Sequence, residues 1–415
     1  MIELLTTICV VGFLLSSGPR LGLGNPFQLY FAVWSSVLIG YLLFRNAFLP
    51  MPGESIALLL LAKLASFVVL VVALTTSKAL VVGHRSSQSP NLKVNESLVW
   101  IILLLVILSL PLAYERAVQL AGADVFTVLG YIQLRSALTD GQQDFGLLSY
   151  LSMPSFVISS LCVTQYALHR RGVLRMILAV TASLFFVYLS TGRTFVLLLL
   201  VMVFAPLVLL KKIRLKGVFV AIALAISLFL AVATMTSKGV SIEEDFRSNV
   251  KSFSDSLGAY TIAPLVAFSG LTLEESTAPF GQSIFRFFFA LFYSLGLTDS
   301  PPISLVKEYA FVPGPTNVYT VYEVYWADLS YFGMLVPSVF LVGHWMLYRS
   351  ASRGSGISIF LCSASYYPLI MQFFQDQYVS LISQWLQLVF WCWLLLVVRI
   401  PRFSCSRFDT FRALT

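Results

Sequence analysis

The sequence predicts an all-α protein that crosses a lipid bilayer many times. Of its 415 residues, 58% are hydrophobic and only 11% are charged, and the mean hydropathy is +0.86. Apolar runs of roughly 18 to 25 residues recur from end to end, and each is long enough to cross about 30 Å of hydrocarbon as a helix. The runs are too continuously apolar to be the alternating strands of an outer-membrane barrel, so helices are the expected way to satisfy the backbone inside lipid.

Sliding windows of about 19 residues predict eleven membrane spans within a single polytopic domain, residues 1–415. The spans are Ile2–Ser17, Phe27–Leu49, Ile56–Thr76, Ser97–Ala113, Leu147–Leu168, Leu174–Leu189, Phe195–Leu210, Val218–Thr236, Tyr331–Tyr348, Ile357–Phe373 and Val379–Val398. The first span is interpreted as an anchor, because it lacks a basic leading region and an obvious small-residue cleavage site.

The distribution of charge predicts the orientation of these spans. Lys and Arg are retained on the cytoplasmic side of short loops, and 17 of the 27 basic residues fall on one predicted side together with 2 of the 19 acidic residues. The basic clusters begin at Arg170, Lys211, Arg349 and Arg399. The C-terminus is therefore expected in the cytoplasm and the N-terminus outside. The net charge of +8 is explained by topology and gives no support to nucleic-acid binding.

Several classes of chemistry lack their sequence signatures. Four of the five cysteines fall in predicted spans and Cys405 falls in the inner tail, so no disulfide is expected. No CxxC or His/Cys spacing suggests a metal site, and no Walker or GxGxxG motif suggests a nucleotide. The sequence therefore predicts neither a metal nor a cofactor.

Two external segments are much longer than the other connections. The first covers residues 114–146 and the second covers residues 237–330, and long loops of this kind usually carry function. Within the second segment, the aromatic run Phe285–Leu297 is too short to span comfortably and predicts an interfacial or re-entrant helix.

A tight hairpin is predicted between the sixth and seventh spans, with Ser190–Thr194 at its outer tip. Arg193 then lies at the outer membrane surface, where positive charge is selected against. One interpretation is an arginine that reaches lipid phosphate. The other is that Arg193 binds a phosphate of a substrate, helped by Gly192 and by the start of the following helix.

Four features, in order, resemble the bacterial O-antigen (oligosaccharide repeat-unit) polymerases. They are Asn25-Pro26-Phe27 at the start of the second span; Arg135 in the first external segment; Thr191-Gly192-Arg193-Thr194 before a leucine run; and Pro315–Thr320 followed by Tyr325 and Asp328 before a new span. Members of the family tend to read Asp-Phe-Gly, whereas this chain has Asp328-Leu329-Ser330 with Phe332-Gly333 later.

The resemblance implies a metal-independent glycosyltransferase of the bacterial inner membrane, with an architecture similar to that of other multi-span lipid-donor enzymes (GT-C-like). It implies polymerisation of repeat units carried on undecaprenyl pyrophosphate, at the periplasmic face. The expected partners are the lipid-linked glycan donor and acceptor and the membrane lipids, and a chain-length regulator is a candidate partner. Alternatives from the residues are a lipid-linked oligosaccharide flippase or transporter, although no internal repeat is found, and an O-antigen ligase, although the large external segment contains no histidine.

Outward arginines are the candidates for binding the departing pyrophosphate, because guanidinium is permanently charged and bidentate. These are Arg135, Arg193, Arg286 and Arg247, with capping of an interfacial helix as the alternative role for Arg286.

The candidate general base is a carboxylate, because His84, His169 and His344 are predicted at inner loops or near the inner surface. Asp328 is the first choice, with capping of a helix near Tyr331 as its alternative, and Glu323 is the second.

Carbohydrate binding is assigned to Asn317, Tyr319 and Tyr325, with an interfacial aromatic belt as the alternative for the tyrosines. Lys63, inside its span, could extend to the outer surface or serve the lipid pyrophosphate.

Overall fold

A computed structural model shows that apolar helices make up most of the fold. It describes residues 1–18, 20–22, 24–77, 92, 94–139, 144–213, 217, 258, 260–272, 280–304 and 307–398. The α-helices in these ranges are α1 (Ile2–Ser16), α2 (Pro26–Phe44), α3 (Gly53–Thr76), α4 (Glu96–Ala121), α5 (Val128–Thr139), α6 (Ser152–His169), α7 (Val173–Leu189), α8 (Arg193–Leu209), α9 (Ala263–Leu271), α10 (Arg286–Ser294), α11 (Tyr322–Leu329), α12 (Val336–Ser352), α13 (Gly356–Met371) and α14 (Ile382–Leu396).

Shorter elements complete the described chain. Three 3₁₀-helices cover Arg45–Ala47, Gly146–Leu151 and Ser330–Leu335. Two short strands, β1 (Ala310–Phe311) and β2 (Pro315–Thr316), pair in antiparallel fashion with Ala310 opposite Thr316. The prediction of an essentially all-α protein is confirmed for the described residues.

Five helical runs are long and apolar enough to cross a membrane: Pro26–Ala47, Gly53–Thr76, Glu96–Ala121, Gly146–His169 and Tyr322–Ser352. Five shorter apolar helices are α1, α7, α8, α13 and α14. Ten of the eleven predicted spans therefore coincide with helices, and Val218–Thr236 lies outside the described residues. The number of crossings remains a prediction.

Local sequence signals explain where two of the long helices begin. The Asn25 side chain accepts the Gln28 N–H at 2.9 Å and Pro26 follows it at the first helical position. Asn95 caps α4 in the same way through the Leu98 N–H. The predicted end of the fourth span at Ala113 is too early. The helix continues to Ala121 because the interior Pro111 is accommodated.

Contacts near the helix ends separate the predicted inner loops from the predicted outer ones. At one end, Glu96 forms an ion pair with Arg175, and the N–H just before α4 donates to a carbonyl near the end of α14. At the other end, the Tyr188 hydroxyl donates to the Val125 carbonyl at 2.5 Å. The 26 residues of α4 connect these ends over about 39 Å, at 1.5 Å per residue. The relative placement of the loops agrees with the sequence analysis, and the compartment that each end faces remains a prediction.

Lys63 is a fully buried cation in the middle of the bundle. Its ammonium donates to the Tyr322 hydroxyl at 2.8 Å and to the Tyr30 hydroxyl at 3.1 Å, and it lies 3.2 Å from the centroid of the Trp34 ring. The expectation that Lys63 extends to the outer surface or reaches a lipid pyrophosphate is therefore wrong in this structure, because the side chain is 0% exposed. Instead, Lys63 joins α2, α3 and α11 through hydrogen bonds and cation–π contact.

The packing of the turn between α11 and α12 generates a stability prediction. A Cβ at Gly333 would lie 2.2 Å from the Tyr325 carbonyl oxygen, whereas a Cβ at Gly343 meets nothing within 4 Å. Gly333→Ala is expected to lower the free energy of unfolding by about 1–3 kcal/mol, because helical backbone must move. Gly343→Ala is the matched control and is expected to be neutral or to stabilise by about 0.5–1 kcal/mol through helix propensity. Thermal unfolding in detergent measures both, and equal stability of the two variants would contradict the packing described.

Candidate functional site

Two of the predicted phosphate-binding arginines lie close together at the outer-loop end of the bundle. Arg135, on α5, donates from Nη1 to the Thr191 carbonyl at 2.9 Å. Arg193 begins α8, two residues after Thr191, and the positive charge of Arg135 lowers the pKa of Arg193. Tyr131, one turn before Arg135 on the same helix, is 2% exposed and lies near both cations. The first external segment and the hairpin tip are therefore parts of one cationic site.

The backbone of the hairpin tip explains how Arg135 reaches it. Thr191 has φ of +50°, a left-handed conformation that non-glycine residues seldom adopt and that costs energy. The turn from α7 to α8 is completed within three residues, Ser190–Gly192. The hydrogen bond from Arg135 therefore stabilises a strained, tightly turned tip, and it fixes the distance between α5 and the start of α8.

The surroundings of Arg193 favour binding of a negative charge. The guanidinium lies 5.2 Å from the centroid of the Tyr260 ring. Arg193 lies outside the predicted span, which starts at Phe195. Burial lowers the pKa of the Arg193 guanidinium. Tyr260 opposes this shift, and the positive charge of Arg135 adds to it. Two cations held together in a partly desolvated place are stabilised when an anion binds between them. A phosphate or pyrophosphate has the charge and the acceptor oxygens for this geometry.

The connector between α13 and α14, residues 372–381, links this cationic site to the large external segment. Its Phe374 ring stacks on Tyr260 at 5.9 Å between centroids, and Tyr260 in turn packs on Arg193. The Gln372 carbonyl accepts the Val321 N–H at 2.8 Å, just before α11. The 372–381 connector therefore places α11 next to the cationic site.

Asp376 is the central polar residue of this connector, and the sequence analysis missed it. The carboxylate is 3% exposed and accepts the Tyr325 hydroxyl at 2.6 Å. It also accepts the N–H groups of Tyr378 and Ser380 at 3.2 and 2.8 Å. Burial raises the pKa of Asp376, although these hydrogen bonds oppose the shift. The available signal was the polar triplet Gln375-Asp376-Gln377 between two apolar spans.

Asp328, the first-choice base, is buried within α11 and its carboxylate is already occupied. Both oxygens accept the Ser283 N–H, at 3.2 and 3.1 Å, and one accepts the Ile284 N–H at 2.7 Å. The alternative that Asp328 caps a helix starting near Tyr331 is wrong, because the helix that starts there, Ser330–Leu335, has Leu329 at its N-cap and no side-chain capping hydrogen bond. Asp328 instead anchors the turn before α10 onto α11.

Arg286 lies at the start of α10, where the sequence analysis expected an interfacial helix. Its Nε donates to the Ile303 carbonyl at 2.7 Å, and burial lowers the pKa of its guanidinium. The helix has no buried residue, and Phe288 and Phe292 are more than two-fifths exposed. The helix is confirmed and is amphipathic, whereas its position in an interface remains a prediction.

Glu323, the second-choice base, lies on the first turn of α11. One of its oxygens is 2.8 Å from the ammonium of Lys307. Tyr319, close by in sequence, donates from its hydroxyl to the Glu308 carbonyl at 3.2 Å. Asn317 and Tyr319 are both partly exposed, so these two predicted glycan ligands remain accessible.

Tyr325 is not placed as a predicted sugar platform would be. The ring is 1% exposed, and its neighbours Tyr322 and Trp326 are also buried. Neither stacking on a sugar nor an interfacial belt fits such burial, because both require a ring face at the surface. These aromatic side chains share the face of α11 that packs into the bundle. The sequence analysis treated this region as part of a loop and therefore did not predict their burial.

His344 is also placed differently from the expectation of a histidine near the inner surface. It lies midway along α12 and is 4% exposed. Its ring nitrogens are hydrogen-bonded to Ser365 and Tyr378, at 2.9 Å each. The ring is therefore a core side chain of the bundle, and it meets the 372–381 connector through Tyr378.

Two expectations remain, one for Arg247 and one for metals. Arg247, together with the acidic stretch at 243–245, lies outside the described residues. Within the described ranges, no three His, Cys, Asp or Glu side chains converge in a way that could hold a metal ion.

Comparisons with known proteins give one similarity. The chain is similar to a protein of Escherichia coli (strain K12) described as "Putative O-antigen polymerase", with 30% identity over 136 residues. The match covers 32% of this chain and 33% of that protein, so about a third of the relative's length is matched. No protein-family model and no solved structure matches the chain. The resemblance to O-antigen polymerases is thus confirmed over part of the chain.

The Tyr325–Asp376 hydrogen bond generates a pH-dependent prediction. Because the folded state holds the proton of Asp376 more tightly than the unfolded state, the stabilisation from that protonation is present at low pH and is lost as pH rises through the raised pKa. The hydrogen bond that the Tyr325 hydroxyl donates to Asp376 stabilises the ionised form of this carboxylate. Tyr325→Phe should therefore cost about 1–3 kcal/mol near pH 8 and less toward pH 4.5.

Thermal unfolding in detergent across this pH range measures the effect. Tyr348→Phe is the control, because the Tyr348 hydroxyl donates to the neutral Leu21 carbonyl at 2.9 Å, and its cost should be independent of pH. Parallel pH profiles for the two variants would count against the coupling between Tyr325 and Asp376.

Proposed function

We propose that this protein polymerises oligosaccharide repeat units carried on undecaprenyl pyrophosphate, at the periplasmic face of the bacterial inner membrane. The observation that carries the proposal is the pairing of Arg135 with Arg193 at one end of a bundle of apolar helices. The partial similarity to a protein described as an O-antigen polymerase supports the same reaction class. The donor and acceptor glycans and the surrounding lipids are the partners that this reaction requires.

The reaction joins two lipid-linked glycans in one substitution step. A hydroxyl oxygen of the acceptor glycan forms a bond to the anomeric carbon of the donor, and the bond from that carbon to the pyrophosphate oxygen breaks. The pyrophosphate leaves with the bonding electron pair, and the hydroxyl proton passes to a carboxylate. Charge develops on the leaving group, so fixed cations next to it stabilise the transition state.

Arg193 and Arg135 supply these cations in the proposed mechanism. Their guanidinium groups stay charged and can donate paired hydrogen bonds to phosphate oxygens. The Thr191 contact holds Arg135 against the hairpin tip at which Arg193 begins α8. With guanidinium in this role, no metal is needed to neutralise the pyrophosphate, and polymerisation is proposed to continue in the presence of EDTA.

Glu323 is the better candidate for the general base. The three N–H contacts to Asp328 involve both of its oxygens, whereas the ion pair with Lys307 engages one oxygen of Glu323. A base needs a free lone pair within reach of the hydroxyl that it deprotonates. Asp328 is assigned a positioning role, since it holds the turn before Arg286 against α11.

The acceptor glycan is proposed to lie along the large external segment. Asn317 offers both a donor and an acceptor, and Tyr319 offers a partly exposed ring. Arg286 and Arg247 are proposed to add positive charge along the same segment. Tyr325 acts through Asp376 instead of touching the sugar, which makes it a positioning residue.

Deletion of the gene in a host that displays the corresponding glycan tests the function. Cells without the protein are expected to carry surface glycan with single repeat units, because export and ligation continue while polymerisation stops. Electrophoresis of the surface glycan measures this. Chains of normal length in the deletion strain would contradict a polymerase, and loss of all surface glycan would indicate a flippase or a ligase instead.

Arg193→Ala is expected to reduce chain extension by about 100-fold or more, because one charge-stabilising donor is lost in the transition state. Arg193→Lys is expected to lose most activity too, since an ammonium cannot donate the paired hydrogen bonds. The control is Arg171→Ala, an exposed arginine between α6 and α7 at the opposite end of the bundle. In vitro extension at equal protein amounts measures all three, and full activity of Arg193→Ala would return this residue to a lipid-anchoring role.

A further inference from the structure

An apolar groove of about 380 Å³ lies between α12 and α14, with α13 as its floor. Both outer helices pack against α13, and they make few contacts with each other. Such a volume is in the range of small-molecule sites in proteins. Its wall includes Gly343 and Leu347 from α12, Leu361 and Pro368 from α13, Tyr378 from the 372–381 connector, and Val389 from α14.

The polar groups of the wall are turned toward each other, which leaves an apolar surface. His344 is hydrogen-bonded on one nitrogen to Ser365 and on the other to Tyr378. All three line the groove, and their mutual bonds leave little demand for a polar ligand. In a bilayer, a groove of this kind suits an aliphatic chain.

Gly343 indicates that the groove is kept open at a cost. It lies inside α12, where glycine is less stable than alanine by about 0.5–1 kcal/mol. A Cβ at this position would meet nothing within 4 Å, so no packing neighbour within the described residues requires the glycine. The bare backbone at Gly343 widens the groove.

The groove begins at the same end of the bundle as the arginine pair. Tyr378 and Val379 line its outer end, and it runs inward to Leu347 on one side and Val389 on the other. From Ile382 to Val389 along α14 is about 10 Å at 1.5 Å per residue. The groove can therefore hold the part of a long chain nearest to its head group.

The distance from the groove to the arginine site is bounded by the connector. Phe374, which stacks on the Tyr260 ring beside Arg193, precedes Tyr378 by four residues. Four residues span at most about 14 Å when fully extended, and the ring contacts add 5.9 Å from Phe374 to Tyr260 and 5.2 Å from Tyr260 to Arg193. A ligand with a phosphate at Arg193 and an aliphatic tail could therefore occupy both places at once.

We propose that this groove binds the polyprenyl chain of the lipid-linked donor, next to its pyrophosphate. The identity of the chain as polyprenyl rests on the proposed function. The donor lipid is chosen over a bulk phospholipid because the groove is continuous with the arginine site. Chain binding here would orient the anomeric carbon above Arg193, since the chain, the pyrophosphate and the sugar follow one another along the donor.

Photo-crosslinking with a sugar-free photoreactive polyprenyl pyrophosphate tests the proposal in membranes that contain the whole protein. The label is expected on peptides from α12 and α14 that line the groove. Gly343→Leu fills the groove and should reduce labelling by at least about tenfold, since several buried methylene contacts of the chain are displaced. Val389→Trp fills it from the opposite wall and should act likewise, which keeps the test decisive if one variant is unstable.

A control on the same helix separates filling of the groove from a general effect of added bulk. Val339→Leu adds bulk on α12 at a side chain that is 67% exposed and does not line the groove, and it should label like the wild type.

The outcomes also separate this proposal from the proposed function. Unchanged labelling in a folded Gly343→Leu variant overturns the groove assignment even if the deletion strain shows that the protein is a polymerase. Equal labelling of the groove by a photoreactive phospholipid, with competition between the two lipids, overturns the choice of donor chain. Loss of polyprenyl labelling in Gly343→Leu supports the groove assignment even if the deletion strain makes long glycan chains.

Discussion

The hydrogen bond from Tyr325 to Asp376 is the contact on which the arrangement of the site depends. It joins α11, at the end of the large external segment, to the connector between α13 and α14. In a buried place the bond is strong, because water does not compete for either partner. Through the same connector, Phe374 reaches Tyr260 and Tyr378 reaches His344. One short connection thus fixes α11, the arginine site and the groove relative to one another.

A second constraint is that charges inside an apolar bundle must be satisfied within the protein. Lys63 meets this requirement through two tyrosine hydroxyls and the Trp34 ring, and Arg175 does so through Glu96 and Gln165. The cations at the hairpin tip differ in kind, because the positive charge of Arg135 lowers the pKa of Arg193. Basic side chains whose hydrogen bonds are satisfied within the bundle hold helices together, whereas two adjacent cations at the end of the bundle favour an anionic ligand.

The carboxylates divide into three physical environments. Asp328 accepts backbone N–H groups and anchors a turn, Asp376 is buried and bound by a phenol, and Glu323 pairs with a partly exposed lysine. All three side chains are at most 9% exposed, and Glu323 differs from the other two in that its partner is a cation. Asp328 and Asp376 therefore hold the large external segment in place, and Glu323 is the carboxylate that the proposed mechanism uses as the base.

The sequence by itself determined the class of fold, the positions of ten helical segments, the relative placement of inner and outer loops, and the position of an arginine at the hairpin tip. These follow from apolar run length and from the distribution of charge, which are local or additive properties of the chain. Tertiary structure alone decided that Arg135 meets Arg193, that Tyr325 faces Asp376 and not a sugar, and that Lys63 is enclosed. The reason is that these contacts join residues 50 or more positions apart, and the direction of each side chain depends on the rotation and packing of whole helices, which no short pattern encodes.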